Sequence, residues 1–267
     1  MARTDDTLEP RPAPRRLRRR ILILPTAFTT GNLFFGYYSV ICSMRGDYDT
    51  AAKLIGLSWL CDILDGKIAR MANATSDFGL QFDSLADVVA FGVAPSVLLI
   101  LWGLQPLERQ SILWVAGFIY LVCAAMRLAR FNVSAQNLKS FAGMPSPAAG
   151  TLIAAIVYMF PKAIIEPPFN WLLAALTCGL GALMISTIRY PSLKFISLTK
   201  GKSHLNVFLL ALLIVAIFMF SQYVLLGLAV TYASSGAVMK LYAMARRRRH
   251  PEPVPPLPAP DAPPERH

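Results

Sequence analysis

Apolar runs long enough to cross a bilayer, at about 20 residues per crossing, recur along the chain near 27–43, 51–71, 82–103, 111–129, 147–161, 170–187, 205–220 and 223–242. This pattern predicts an all-α, polytopic membrane protein of about eight transmembrane helices. If Leu205 to Tyr242 were one helix, it would reach about 60 Å, twice the thickness of the hydrocarbon layer, so a hairpin is expected near Ser221 and Gln222. The second run is interrupted by Lys53, Asp62, Asp65, Lys67 and Arg70. Hydropathy alone under-reads such a segment, and local rules are broken most often at functional sites.

Composition agrees with a membrane protein. Of 267 residues, 55% are hydrophobic and 15% charged, and the mean hydropathy of +0.49 is too high for an ordinary soluble domain. The net charge of +11 would suit a nucleic-acid partner, but its basic residues crowd into 11–20, 189–202 and 246–249, each flanking an apolar run. That is a membrane pattern, and no nucleic-acid partner is expected. The N-terminal arginines, Arg70, Arg127, Arg130, Lys139, Arg189, Lys194, Lys200, Lys202 and Arg246 to Arg249 fall on one side of the predicted spans, and only Arg45, Arg109 and Lys162 lie near the opposite loops. The positive-inside rule then places both termini in the cytoplasm, with the chain in the cell (inner) membrane, and requires an even number of spans. No cleavage signal follows RRLRRR and its apolar run, so a retained first span is expected. The expected organisation is a basic, partly disordered N-terminus at 1–20, a membrane catalytic domain at 21–245, and a basic, then proline-rich, disordered tail at 246–267. Cys42, Cys61, Cys123 and Cys178 lie in or beside apolar runs without a C-x-x-C pair and read as packing residues. The scattered His204, His250 and His267 offer no histidine metal site.

The chemistry concentrates between Asp62 and Asp87, in D-x-x-D-G-x-x-A-R, eight residues, then G-x-x-x-D-x-x-x-D. A charged residue near the bilayer centre costs roughly 2.5–3.5 kcal/mol on insertion scales, so four acids close together need positive compensation. On helices, Asp62, Asp65, Gly66 and Ala69 share a broad face, and Gly79, Asp83 and Asp87 follow at steps of four. The ends of the second and third spans should therefore form an antiparallel hairpin whose carboxylates meet just inside the cytoplasmic face. Hard oxygen ligands suit Mg2+ or Mn2+, and magnesium is characteristically shared between carboxylates and substrate phosphates, so a phosphate-bearing substrate is expected. Gly66, Ala69 and Gly79 either leave room for a nucleotide against the helix backbone or pack helices together. The acids themselves would also serve an ion path in a cation-coupled transporter.

The pattern Asp62, Asp65, Gly66, Ala69, Arg70, Gly79, Asp83, Asp87 matches at every fixed position the signature of the CDP-alcohol phosphotransferases, which the chain resembles. The likeness extends over roughly 24–190, through LPTAFTTGNLFFG, FDSLADVVAFGVAP, RLARFN and FAGMPSPAA, which look like the serine-using bacterial members. The resemblance implies a membrane-embedded helical fold that transfers the phosphatidyl group from CDP-diacylglycerol to L-serine and releases CMP; choline or glycerol 3-phosphate are the alternative acceptors. It implies that Asp62, Asp65 and Asp83 hold metal and through it the diphosphate, and that Asp87 completes the metal site and acts as general base. It also implies that Gly66 and Ala69 face the cytidine nucleotide, with Gly79 giving room. Arg70 either orients carboxylate or phosphate groups or snorkels from a helix end. Arg127, Arg130 and Arg189 are candidates for phosphate or serine carboxylate, or else serve topology. Asn32 and Asn132 would hydrogen-bond substrate or satisfy backbone at span ends, and are not assigned to the site. A homodimer is an open expectation, since no residue pattern marks an interface. The intact signature argues against a silent scaffold, and the absence of paired broken helices at the midplane argues against a transporter.

Overall fold

The computed structural model describes residues 15–71, 76–104, 114–134, 143–163, 167–188, 220–236 and 238–239, and all regular structure among them is helical. Helix α1 spans Arg15–Met44 and α2 Tyr48–Met71. A continuous helix, α3, runs Asp77–Leu104. Its α-helical parts, Asp77–Asp87 and Ala94–Leu99, alternate with π-helical turns at Val88–Val93 and Ile100–Leu104. Then come α4 at Trp114–Ser134, α5 at Ser146–Met159, α6 at Pro167–Ile185, and a last helix, α7, at 220–236.

Among the described residues, three helices are long and apolar enough to cross a membrane by length and composition: Asp77–Leu104, Trp114–Val133 and Pro168–Ile185. α2 lies within three residues of the expected 51–71 but carries the charges noted above. α1 starts at Arg15 rather than near 27, because arginine and leucine are good helix formers and carry the helix back through the basic segment. α5 is 14 residues, about 21 Å, and most of its positions, Ala149, Gly150, Leu152, Ile153, Ala154, Ala155 and Val157 among them, are buried within the bundle. Ser221 and Gln222 are helical. The turn of the expected hairpin is therefore not at these two residues, and the run at 205–219 lies outside the described residues.

The α1–α2 turn is tight. Gly46 takes a φ of 77°, the left-handed conformation that ends a helix most cheaply in glycine, and the Asp47 amide reaches back to the Cys42 carbonyl at 3.0 Å. Asp47 Oδ1 accepts the Thr50 amide at 3.1 Å and so caps α2, and hydrogen bonding from Thr50 holds this exposed carboxyl below its ordinary range. α1 and α2 therefore run side by side along their length, with α5 against α2 and α6 against α4. The core joins Ile55, Ala90, Phe91, Leu98, Trp102, Tyr120, Met144, Ile153 and Met184. Large apolar side chains such as Phe34, Tyr37, Phe118, Phe169 and Trp171 lie exposed on the outside, as lipid-facing surfaces require.

The first π-turn sits where two neighbouring helices approach its backbone closely. A Cβ on Gly36 would stand 2.7 Å from the Cα of Ala90, and one on Gly150 would stand 3.3 Å from the Cα of Phe91. The Phe91 carbonyl, displaced from ordinary helical bonding, accepts the buried Tyr120 hydroxyl at 2.9 Å.

Candidate functional site

Asp62 in the second half of α2 and Asp83 and Asp87 in the second and third turns of α3 bring one carboxylate oxygen each to within 4.8 Å of one another. α3 starts where it does because the Ser76 side chain accepts the Gly79 amide at 3.0 Å, capping the helix and fixing the rotation that turns Asp83 and Asp87, one turn apart, toward α2. Asp87 is buried, and Asp62 and Asp83 are half-buried. Asp65 is also buried but turns toward α1, where its Oδ2 accepts the Thr29 hydroxyl at 3.0 Å. Three helices thus contribute to one polar region.

α1 supplies the polar partners. Asn32, fully buried, donates from Nδ2 to Asp87 Oδ1 at 3.1 Å. The hydroxyl of Ser58, fully buried on α2, meets both the backbone carbonyl of Asn32, at 2.8 Å, and its side-chain oxygen. Thr29 and Asn32 stand three residues apart on α1, so one face of this helix serves an acid on each neighbouring helix. Neither is assigned to the site by sequence alone. The available signal is polar residues at helical spacing within the apolar LPTAFTTGNLFFG run.

Among the described residues, no lysine or arginine forms an ion pair with these acids; the single ion pair is Lys53 with Asp49, at 2.5 Å on the exposed first turn of α2. Two ionised carboxylates at this separation repel by about 3.5 kcal/mol at an effective dielectric of about 20. One oxygen of Asp83 is buried without a hydrogen-bond partner, which costs about 1–3 kcal/mol when left so. Converging hard donors, carboxylates without an ion-pair partner among the described residues and an orphaned oxygen together fit a divalent cation bound by Asp62, Asp83 and Asp87.

The remaining expected residues divide. Gly66 is half-buried next to Asp65, and Gly79 lies in the first turn of α3. Ala69 and Arg70 belong to α2, but their side chains lie outside the described residues, as does Arg189. Arg127 is half-buried on α4 and acts electrostatically on Asp62 and Asp87, while its Nη1 donates to the Ser146 hydroxyl at 2.8 Å. Arg130 is exposed and reaches the Ile185 carbonyl at 3.4 Å, at the end of α6. Asn132 bridges α4 to α3, accepting the Ser84 hydroxyl at 3.1 Å and donating to Gln81 at 3.3 Å. The FAGMPSPAA segment ties these helices together. Gly143 has a φ of 94° and donates to the Ile188 carbonyl at 2.9 Å, and Met144 donates to the Leu183 carbonyl at 3.0 Å. Prolines then start α5 with Ser146 facing Arg127.

The acid cluster lies on a helical scaffold with membrane-spanning helices, and residues 22–183 match the CDP-alcohol phosphatidyltransferase family model; the chain belongs to that family. It is 36% identical over 200 residues, 74% of this chain and 81% of the relative, to a protein of Helicobacter pylori named CDP-diacylglycerol–serine O-phosphatidyltransferase. A Bacillus subtilis protein of the same name is 35% identical over 64% of this chain and 91% of its own length. An archaetidylserine synthase of Methanothermobacter thermautotrophicus is 32% identical over 64% of this chain and 70% of its own.

Proposed function

We propose that this protein transfers the phosphatidyl group of CDP-diacylglycerol to L-serine, forming phosphatidylserine and releasing CMP. The observation that carries the reading is the meeting of Asp62, Asp83 and Asp87 within 4.8 Å on a chain of this family. The names of its relatives, two bacterial ones specifying serine O-phosphatidyltransfer and an archaeal one an archaetidylserine product, support serine over choline or glycerol 3-phosphate.

In this reading Asp62, Asp83 and Asp87 bind Mg2+ or Mn2+, with Asp65 adjoining them. Bound there, the cation neutralises the donor diphosphate and polarises the phosphorus under attack. Gly66, Ala69 and Gly79 leave space for the cytidine nucleotide, and Arg70 orients a phosphate or carboxylate. The serine hydroxyl attacks the phosphorus bearing diacylglycerol. A new P–O bond forms, the bridging P–O bond of the diphosphate breaks, and its electron pair leaves on CMP. The hydroxyl proton passes to Asp87 as attack proceeds, because a carboxylate is too weak a base to remove it beforehand. Arg127, Arg130 and Arg189 receive the serine carboxylate or a donor phosphate; of the two that are described, Arg127 is half-buried and Arg130 exposed.

The reading includes eight spans in the cell (inner) membrane with both termini in the cytoplasm, a catalytic unit at 21–245, and the acids at the cytoplasmic surface, where soluble serine and CMP exchange. The basic-residue asymmetry supports this direction. The test is CMP release by purified protein given CDP-diacylglycerol and each acceptor in turn, with Mg2+, Mn2+ or EDTA. L-Serine with metal should give CMP and phosphatidylserine, and EDTA should stop both. Equal turnover with choline or glycerol 3-phosphate would overturn the serine assignment, and metal-independent turnover would overturn the metal site.

A further inference from the structure

We infer that Asn32, held by Ser58, is a positioning residue for Asp87 and fixes the carboxylate that the proposed reaction uses both as a metal ligand and as a base. The inference rests on that reading of Asp87. Asn32 does not do what polar residues in spans usually do, which is to bond a carbonyl of their own helix. Its amide nitrogen donates across to α3, 55 positions along the chain, at 3.1 Å from Asp87 Oδ1. Its amide oxygen takes the Ser58 hydroxyl of α2, and its backbone carbonyl lies 2.8 Å from the same hydroxyl. Asn32 and Ser58 are fully buried, so neither group has water to turn to.

This arrangement has one orientation. Flipping the amide would set its oxygen against the Asp87 carboxylate, acceptor facing acceptor, in a buried place. Asn32 is therefore locked at both ends, and it restrains one oxygen of Asp87, a carboxylate that also belongs to the cluster with Asp62 and Asp83. A neutral donor suits this position because it steers the carboxylate without neutralising it, whereas an arginine or lysine here would compete with the cation. Groups that orient metal ligands in this way typically contribute about 10–100-fold in metal affinity or activity.

The test uses the full-length enzyme in detergent, with two readouts, steady-state kinetics and Mn2+ affinity by electron paramagnetic resonance in the absence of substrate. Asn32→Ala should lower kcat by about 10–100-fold and weaken Mn2+ binding by about 10-fold or more, with the KM for CDP-diacylglycerol moved less than about threefold and the melting temperature within a few degrees of wild type. Ser58→Ala, which removes only a hydroxyl, should lower kcat and Mn2+ affinity in the same direction but by less. Asp87→Asn serves as the reference. If it leaves Mn2+ affinity unchanged, the metal-site reading itself fails. If it weakens Mn2+ binding while a folded Asn32→Ala keeps both kcat and Mn2+ affinity within about twofold of wild type, the positioning role fails and Asn32 is a packing residue. Should Asn32→Ala not fold, Ser58→Ala decides alone: unchanged kcat and Mn2+ affinity overturn the inference.

Discussion

Asp83→Asn should make the metal-free protein more stable while abolishing its activity. In the wild type, Asp83 meets Asp62 and Asp87 with ligand oxygens within 4.8 Å, and one of its oxygens is buried without a hydrogen-bond partner. Each fully ionised pair at that distance is unfavourable by about 3.5 kcal/mol at an effective dielectric of about 20, and an unsatisfied buried acceptor adds about 1–3 kcal/mol. Shared protons relieve part of the repulsion when no cation is bound, so the net cost to the wild type is set at about 2 kcal/mol. Asparagine keeps the shape, removes one charge and presents an N–H to two acceptors. The gain should raise Tm by about 4–8 °C, taking about 2–4 °C per kcal/mol for a chain of this size. The assay is thermal unfolding of purified protein in detergent, wild type and variant, with EDTA and with saturating Mg2+. In EDTA the variant should melt higher; with Mg2+ the wild type should rise and the variant should hardly move, because ligand stabilisation follows affinity for the folded state. A variant that melts at or below the wild type in EDTA, together with a wild type indifferent to Mg2+, would refute the reasoning, since the three carboxylates would then not form a strained anionic site.

Asp62→Asn, Asp65→Asn and Asp87→Asn should each lose at least about 100-fold in kcat, the scale on which removal of one electrostatic contributor acts; near wild-type turnover in any two would dissolve the shared site. Arg127→Ala should raise the KM for serine more than that for CDP-diacylglycerol, and equal rises would assign the guanidinium to donor phosphate instead. Gly143→Ala should cost more than about 2 kcal/mol, read as lost yield of folded protein or a lower Tm, because φ is 94° and the added Cβ would lie 2.3 Å from the Met184 carbonyl oxygen. Cysteine labelling at position 140 or 201, after replacement of the native cysteines, should succeed only from the cytoplasmic side; labelling from outside would reverse the orientation.

The middle of the fold is legible in the sequence because long apolar runs leave few alternatives: 51–71, 82–103 and 170–187 fall on α2, α3 and α6. The start of α1 is not, since a run of arginines marks a membrane boundary by charge yet continues a helix by propensity. The π-turn at Val88–Val93 carries no sequence signal of its own; it lies where Gly36 and Gly150 admit neighbouring backbone. The acid spacing puts the right residues on the right faces, but which acids converge depends on how two helices are rotated. A step of three residues leaves Asp65 about 60° around the helix from Asp62, enough to turn it to Thr29 on α1 rather than into the trio. Thr29 and Ser58 stay hidden in the sequence, and Asn32 stands out there without an assignable role, because single neutral polar residues are common in spans and only the third dimension shows what they bond.

The direction of the hydrogen bonds along the chain bears on how such a protein is made. Asp65 is bonded to a residue 36 positions earlier, and Asp87 to one 55 positions earlier. During synthesis, α1 is therefore complete before either acid leaves the ribosome, and Ser58 precedes Asp87 as well. Each carboxylate enters the bilayer with its hydrogen-bond donor already there, so the costly stretch of the hairpin need not dwell in lipid unpartnered. A copy of the chain whose first helix was delayed, as by moving α1 to the C-terminus in a permuted gene, would insert its acids with no donor waiting.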